Sequence, residues 1–248
     1  MDLEKLKENW NEWGKRDPLW GVLTWSDKKN NKWEPVEFFK TGKKEIADLF
    51  KYLRSKNIQV LKGHALDFGC GVGRLTQSLA SEFTQVAGVD IAASMIAAAN
   101  EYNTNGDSCK YYLNDKDNLE LFEDNSFDFI YSNIVLQHME PRYSKKYLSE
   151  FIRVLKVGGV AVFQIPSERK ILKPQRQSIS FRIRKRLRSI IRGSTKQLVQ
   201  EEPVMEMHGI KMKDVVSSVT TNGAKVLDIA DDQSTNKWIS YRYCIQKI

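Results

Sequence analysis

The stretch Ala65-Leu66-Asp67-Phe68-Gly69-Cys70-Gly71-Val72-Gly73-Arg74-Leu75 decides the fold. It predicts a short apolar strand, a Gly-x-Gly-x-Gly turn and a helix that follows directly. Glycine has no Cβ, so the turn can be sharp and a ligand can lie against its backbone. The dinucleotide pattern has its third glycine one residue later, where this chain has Arg74. That departure argues against a nicotinamide cofactor.

Strands and helices alternate on the C-terminal side of this turn, which predicts a mostly parallel, doubly wound α/β sheet with helices on both faces. A chain of 248 residues fits one such domain. We place it at residues 41–248 and assign residues 1–40, which contain five of the six tryptophans, to an N-terminal aromatic cap. The predicted strands are 64–68, 85–89, 110–113, 127–132, 160–165, 224–229 and 238–246.

The second predicted strand ends at Asp90. A carboxylate at this position can accept hydrogen bonds from both hydroxyls of a ribose, as acids do in nucleotide-binding α/β folds. The same side chain could instead cap the helix that begins near Ala92. The two roles are compatible.

Taken in order, these features resemble the motifs of class I S-adenosylmethionine-dependent methyltransferases. The resemblance covers residues 40–166 and implies a seven-stranded Rossmann-like sheet of order 3-2-1-4-5-7-6 with strand 7 antiparallel. It also implies transferase activity, with S-adenosyl-L-methionine as the cofactor at the carboxyl ends of the strands. The matching segments are Asp67 to Gly73, Asp90, Asn114-Asp115-Lys116, Phe127 to Ser132 and Val154 to Gly159.

The resemblance assigns cofactor contacts to the glycine turn and the strand before it. Gly69, Cys70, Gly71 and Gly73 would lie against the methionine and ribose portions. Asp67 would orient the turn or meet the amino group of the cofactor.

The resemblance also assigns the nucleoside contacts. Asp90 would bind the ribose diol, and Ile91 would pack on the adenine. Asp115 would meet the adenine amino group, with the backbone of Lys116 nearby.

The methyl-bearing end is expected beside Ser132 or Asn133, at the end of the fourth strand. A hydroxyl acceptor needs a general base, and His138 is our first candidate because histidine titrates near neutrality. Its ring could instead hydrogen-bond a loop carbonyl. His208 is a second candidate. We therefore predict O-methylation of a small-molecule, sugar or lipid-linked acceptor.

Several classes of protein are disfavoured. The fourth strand is not followed by an Asn/Asp-Pro-Pro-aromatic motif, and no Pro-Cys nucleophile occurs. No cluster of His, Asp or Glu has metal-ligand spacing, so we expect no metal. No secretory signal or membrane span is apparent, and three scattered cysteines fit a reducing compartment. We expect a cytoplasmic protein.

The net charge of +8 arises from one segment. Ten Lys/Arg and no acid lie in 169–192, and the other 29 basic residues nearly balance the 31 acidic ones. This segment belongs to a predicted insertion at about 167–207. As a helix, residues 179–192 would have one apolar face, which could pack on the domain or contact an anionic membrane surface. Nucleic acid is a less favoured partner because few aromatic residues interleave the charges.

Two alternatives to a small-molecule methyltransferase stay open. One is an RNA methyltransferase that uses the basic 169–192 segment. The other is a non-catalytic module that binds the cofactor. A further expectation concerns Phe38 to Gly42, which would close over the cofactor or merely seal an edge of the sheet.

Overall fold

The computed structural model describes residues 1–170, 203–233 and 237–248. Its centre is a seven-stranded sheet of order β3-β2-β1-β4-β5-β7-β6. β7 runs antiparallel to both β5 and β6, and the other strand pairs are parallel. The predicted order and orientation are therefore confirmed. The strands are β1 (His64–Phe68), β2 (Gln85–Asp90), β3 (Cys109–Leu113), β4 (Phe127–Ser132), β5 (Leu155–Arg169), β6 (Ala224–Asp232) and β7 (Trp238–Lys247).

Helices cover both faces of the sheet, as expected for parallel strands that bury both faces. Every residue of β4 is buried. On one face Phe151 and Tyr243 contact Phe163, and on the other Phe83 stacks on Phe129 with 5.3 Å between ring centroids. The helices are α1 (Leu3–Arg16), α2 (Pro18–Val22), α3 (Pro35–Ser55), α4 (Arg74–Leu79), α5 (Ala93–Glu101), α6 (Pro141–Val154) and α7 (Met212–Thr221).

The aromatic N-terminal segment is folded against the sheet domain. Trp13, Trp33 and Phe38 are buried with Val72 of the glycine turn. α1 crosses α5 closely at Gly14, where a Cβ would lie 2.2 Å from the Ser94 hydroxyl oxygen. α3 continues without a break through position 40, where the sequence analysis separated cap from domain.

The ends of several elements differ from the predictions because tertiary pairing sets them. β5 is predicted as 160–165 but extends over fifteen residues, since β7 pairs with it as far as Arg169. The insertion predicted at 167–207 begins as the end of this strand. Its amphipathic segment 179–192 lies outside the described residues. The membrane and nucleic-acid contacts that we predict for this segment therefore stay predictions. No helix in the described part of the chain has the length and apolar character needed to span a membrane.

Candidate functional site

The turn after β1 depends on glycine for its geometry. Gly69, Gly71 and Gly73 have φ of 77°, 53° and 83°, in the left-handed region that side chains disfavour. A Cβ on Gly69 would lie 2.3 Å from Val135, and one on Gly71 would lie 2.5 Å from Val22. The turn therefore has no room for side chains, so neighbouring groups pack directly against its backbone.

Asp90 connects this turn to the start of α5. Its Oδ2 accepts a hydrogen bond from the Gly71 N–H at 2.9 Å, and its Oδ1 accepts one from the Ala92 N–H at 2.9 Å. Burial raises the pKa of Asp90, while the backbone donors at Ala92 and Gly71 oppose that rise. The side chain thus faces the turn and also stabilises the start of the helix, so both predicted roles are geometrically compatible.

A cavity of about 420 Å³ lies beside the turn, at the carboxyl ends of β1, β2 and β4. Asp90 and Arg74 are its only charged wall residues in the described part of the chain; most of the wall is apolar. The volume falls within the range of about 300–1,000 Å³ for small-molecule sites. Gly69, Cys70, Gly71 and Ile91 from the predicted set line the cavity, whereas Gly73 does not.

The roof of the cavity comes from the N-terminal segment. Leu6 and Trp10 of α1, Val22 of α2 and the half-exposed Trp25 all line it. The predicted covering segment, Phe38 to Gly42, is instead part of α3 and is absent from the wall.

Asp67 lies beneath the turn and is only 1% exposed. Its Oδ2 accepts a hydrogen bond from the Thr76 hydroxyl at 2.7 Å. Burial raises the pKa of Asp67 to about 7, although the Thr76 hydroxyl and the Arg74 charge both lower it. Asp67 does not line the cavity. Of its two predicted roles, this position favours orienting the turn.

Sequence reasoning missed a polar network at the edge of the cavity. Glu45 of α3 accepts hydrogen bonds from Arg74 at 2.8 Å, from Tyr131 at 3.0 Å and from Asn133 at 2.7 Å. Arg74 is only 3% exposed, and its Nε has no hydrogen-bond partner among the described residues. A buried donor without a partner is costly, so it favours a bound acceptor group. Asn133, which is predicted to face the methyl-bearing end, lines the cavity directly after β4.

Three predicted residues lie away from the cavity. Asp115 is half-exposed and pairs with Lys7 of α1 at 3.1 Å. The Lys116 side chain pairs with Glu120 at the surface. Ser132 is buried but does not line the cavity.

Asn114 lines the cavity in place of Asp115, with its amide donating to the Asn118 carbonyl at 2.8 Å. β3 ends at Leu113, and the turn that follows directs successive side chains differently. The next wall residue after Asn133, Ile134, has φ of 62°. This conformation is strained for a β-branched side chain, and such strain often accompanies functional sites.

His138 lies on the cavity wall beside Trp10, with 5.2 Å between ring centroids. Its Nδ1 is 2.7 Å from the Glu206 carbonyl oxygen, which can only accept, so the proton is on Nδ1. Its Nε2 accepts from the Gln137 amide at 3.1 Å. Burial lowers the pKa of His138 to about 4 despite the opposing Glu206 carbonyl. The ring is therefore neutral near pH 7, and the predicted loop-carbonyl contact is present.

The described residues hold no group of three or more His, Cys, Asp or Glu side chains arranged for a metal ion. Cys70, Cys109 and Cys244 are buried free thiols. Burial raises the pKa of all three, most strongly that of Cys70. These thiols are protonated near pH 7, which makes them poor nucleophiles.

Comparison with known proteins agrees with this site. Residues 66–163 match a family profile described as "Methyltransferase domain". These residues therefore form a methyltransferase domain, consistent with the class I, S-adenosylmethionine-dependent family that the sequence resembles. The match runs from β1 through most of β5, and so includes the glycine turn, Asp90 and His138.

Curated relatives share this methyltransferase domain over part of their length. A phosphoethanolamine N-methyltransferase of Triticum aestivum is 30% identical over 48% of this chain and 24% of its own length. A malonyl-[acyl-carrier protein] O-methyltransferase of Yersinia pestis is 33% identical over 42% of this chain and 36% of its own. The aligned region is thus about a quarter to a third of the length of these relatives.

A solved structure shares the fold over the whole domain. Magnesium protoporphyrin IX methyltransferase from Synechocystis, crystallised with S-adenosylhomocysteine, gives a TM-score of 0.63 at 16% identity and covers 100% of both chains. At that identity the likeness establishes the fold alone.

Proposed function

We propose that this protein transfers the methyl group of S-adenosylmethionine to a small-molecule acceptor. The observation that carries the proposal is the Asp90 carboxylate, which lies on the wall of a cavity next to the bare backbone of Gly71. A nucleoside needs an acid for its ribose hydroxyls and a close approach to the glycine turn. Both features occur together here.

The other wall residues fit the remaining parts of the cofactor. Ile91 offers an apolar surface for the adenine ring, and Asn114, whose backbone N–H donates to the Asp90 carbonyl at 2.9 Å, also lines the cavity. Arg74 has an unused buried donor that suits the carboxylate of the methionine portion. Val22 and Trp25 exclude water from above.

The bound cofactor supplies a methyl group already activated by a sulfonium. The protein then has to hold the acceptor in line with the methyl carbon and sulfur. Positioning of this kind contributes up to roughly 7–11 kcal/mol in ideal intramolecular reactions. The wall around Asn133, Gln137 and His138 is where this alignment would occur, because it follows β4 directly.

We further propose that the acceptor is methylated on oxygen, and that its hydroxyl donates a hydrogen bond to His138. The Glu206 carbonyl fixes the ring with its proton on Nδ1, which leaves the Nε2 lone pair to accept a hydrogen bond. An acceptor hydroxyl would replace the Gln137 amide as the donor to Nε2. A ring with a pKa of about 4 is a weak base, so His138 orients the hydroxyl and takes its proton only as the O–C bond forms.

Titration calorimetry with S-adenosylhomocysteine tests the cofactor assignment. We expect micromolar affinity for the unmodified protein and a loss of at least roughly 100-fold in the Asp90→Ala variant, because two charge-assisted hydrogen bonds are worth about 1.5–3 kcal/mol each. Circular dichroism of the variant checks that α5 is retained. Absence of binding to the folded, unmodified protein would overturn the proposal.

A labelled-methyl screen against fractionated lysate tests for transfer itself. We also propose that residues 179–192 contact an anionic membrane surface. The membrane and soluble fractions are therefore assayed separately. Transfer to any small acceptor excludes the non-catalytic alternative. Binding of the cofactor without transfer in any fraction would favour it.

A further inference from the structure

A second space adjoins the cavity at its acceptor end. It is a groove of about 770 Å³, and its walls include Arg169, Lys170, Lys237 and Trp238. Met205 and Met207 line both the groove and the first cavity. The two spaces are therefore neighbours, separated by flexible methionine side chains that can adapt to a ligand.

Strand pairing brings the three cations together. In the antiparallel β5–β7 pair Arg169 lies opposite Trp238, and its guanidinium is 5.2 Å from the centre of the indole ring. The next residue, Lys170, donates its backbone N–H to the Lys237 carbonyl at 2.9 Å. The positive charge of the groove is thus a product of the sheet register.

The backbone beside the two methionines is anchored by the segment that follows them. Its backbone pairs with the domain at two points, His208 N–H to the Gln137 carbonyl and Ile210 N–H to the Pro166 carbonyl, each at 2.8 Å. A Cβ on Gly209 would lie 2.5 Å from the Ser167 carbonyl oxygen and 2.8 Å from the Trp238 ring. The segment therefore packs tightly, and it fixes the boundary between cavity and groove.

Among the described residues of the groove wall, the cations outnumber the acids. Glu206 is the one acid among the described wall residues. The Glu206 carboxylate already contacts His208 Nε2 and the Met1 amino nitrogen, both at 3.1 Å. Arg169 and Lys170 therefore leave this wall with a net positive potential, which favours an anionic ligand.

We propose that the methyl acceptor carries an anionic oxygen group, a phosphate or a carboxylate, which binds in this groove. The inference rests on the proposed function, since it treats the first cavity as the site of methyl transfer. The acceptor atom lies near His138, an apolar portion passes Met205 and Met207, and the anion reaches Arg169 and Lys170. The groove is thus a specificity-determining subsite, apart from the residues assigned to the cofactor.

The test uses three amphiphiles of one chain length, decyl phosphate, decanoate and decanol. Each is titrated, below its micelle concentration, into the full-length protein saturated with S-adenosylhomocysteine. We expect at least one of the anions to bind at least roughly tenfold more tightly than decanol, because bonds to charged groups are the stronger ones. The ratio of the two anions tells phosphate from carboxylate.

Two double variants locate the effect. Arg169→Ala/Lys170→Ala should reduce the preference for the anion to less than roughly threefold and leave the affinity for S-adenosylhomocysteine unchanged. The control, Lys110→Ala/Lys225→Ala, makes the same change in net charge at exposed positions of β3 and β6 and should keep the preference.

Equal binding of all three amphiphiles would overturn the inference. So would an anion preference that survives Arg169→Ala/Lys170→Ala. Failure of S-adenosylhomocysteine to bind would instead overturn the proposed function, so the two failures are distinguishable.

Discussion

Replacing Asp67 by asparagine should stabilise the protein more and more as the pH rises. The carboxyl group is 1% exposed, and burial raises its pKa from 3.8 to about 7. The folded state therefore holds a proton that the unfolded state has released, and its stability falls as the pH rises from about 4 to about 7. Each pKa unit is worth ~1.36 kcal/mol, so the whole shift corresponds to roughly 4 kcal/mol. The asparagine amide has no charge to bury, and its oxygen can still accept from Thr76.

Urea unfolding followed by tryptophan fluorescence measures the effect. Between pH 5.5 and 7, the free energy of unfolding of the Asp67→Asn variant should gain about 2 kcal/mol on that of the unmodified protein, then level off. Thr76→Val is the companion variant. Loss of the hydroxyl removes a contact that lowers the pKa of Asp67, so stability should keep falling above pH 7. A difference between Asp67→Asn and the unmodified protein that does not vary with pH would refute the reasoning.

Three further outcomes are expected. Asn114→Ala should weaken binding of S-adenosylhomocysteine roughly tenfold and Asp115→Ala less than twofold, because only Asn114 lines the cavity; calorimetry showing the reverse order would contradict this placement. The methyl-transfer rate should show no loss near pH 6.5 and should fall only as the pH approaches about 4, where the neutral ring of His138 becomes protonated; a rate that halves near pH 6.5 would contradict the burial of this ring. Gly69→Ala should abolish measurable binding of S-adenosylhomocysteine, because the new Cβ clashes with Val135. Adding Val135→Ala should restore part of the binding, since it relieves the clash while the left-handed φ still costs about 1–2 kcal/mol. Tight binding by the Gly69→Ala variant alone would contradict this crowding.

The sequence was sufficient to predict the sheet because the deciding signals are local. An apolar strand, a glycine turn and a helix follow one another in 65–75, and each later strand has its own apolar run. The chain-level resemblance then gave the strand order, including the antiparallel β7. The sequence also predicts Asp90 beside Gly71, because β1 and β2 are parallel neighbours and their carboxyl ends lie at the same edge of the sheet.

The rest of the site depends on contacts between distant parts of the chain. Glu45 lies 29 residues before its partner Arg74 and 88 before Asn133, and no local pattern indicates those pairings. Asp115 does not line the cavity, because tertiary packing decides which side chain of the turn after β3 faces inward. In this structure Lys7 of α1 holds Asp115 outside. The sequence left open whether Phe38 to Gly42 covers the cofactor or seals an edge of the sheet, because aromatic content alone does not distinguish a buried ring from a covering one.

The contact between Val22 and the glycine turn has a kinetic consequence. A path for a nucleoside opens when α1 and α2 move away from the sheet domain, which breaks the Lys7–Asp115 ion pair and the hydrogen bonds from Ser94 to Asn11. We expect the lifetime of the bound complex to depend on the breaking of these contacts, as lid opening controls product release in many enzymes.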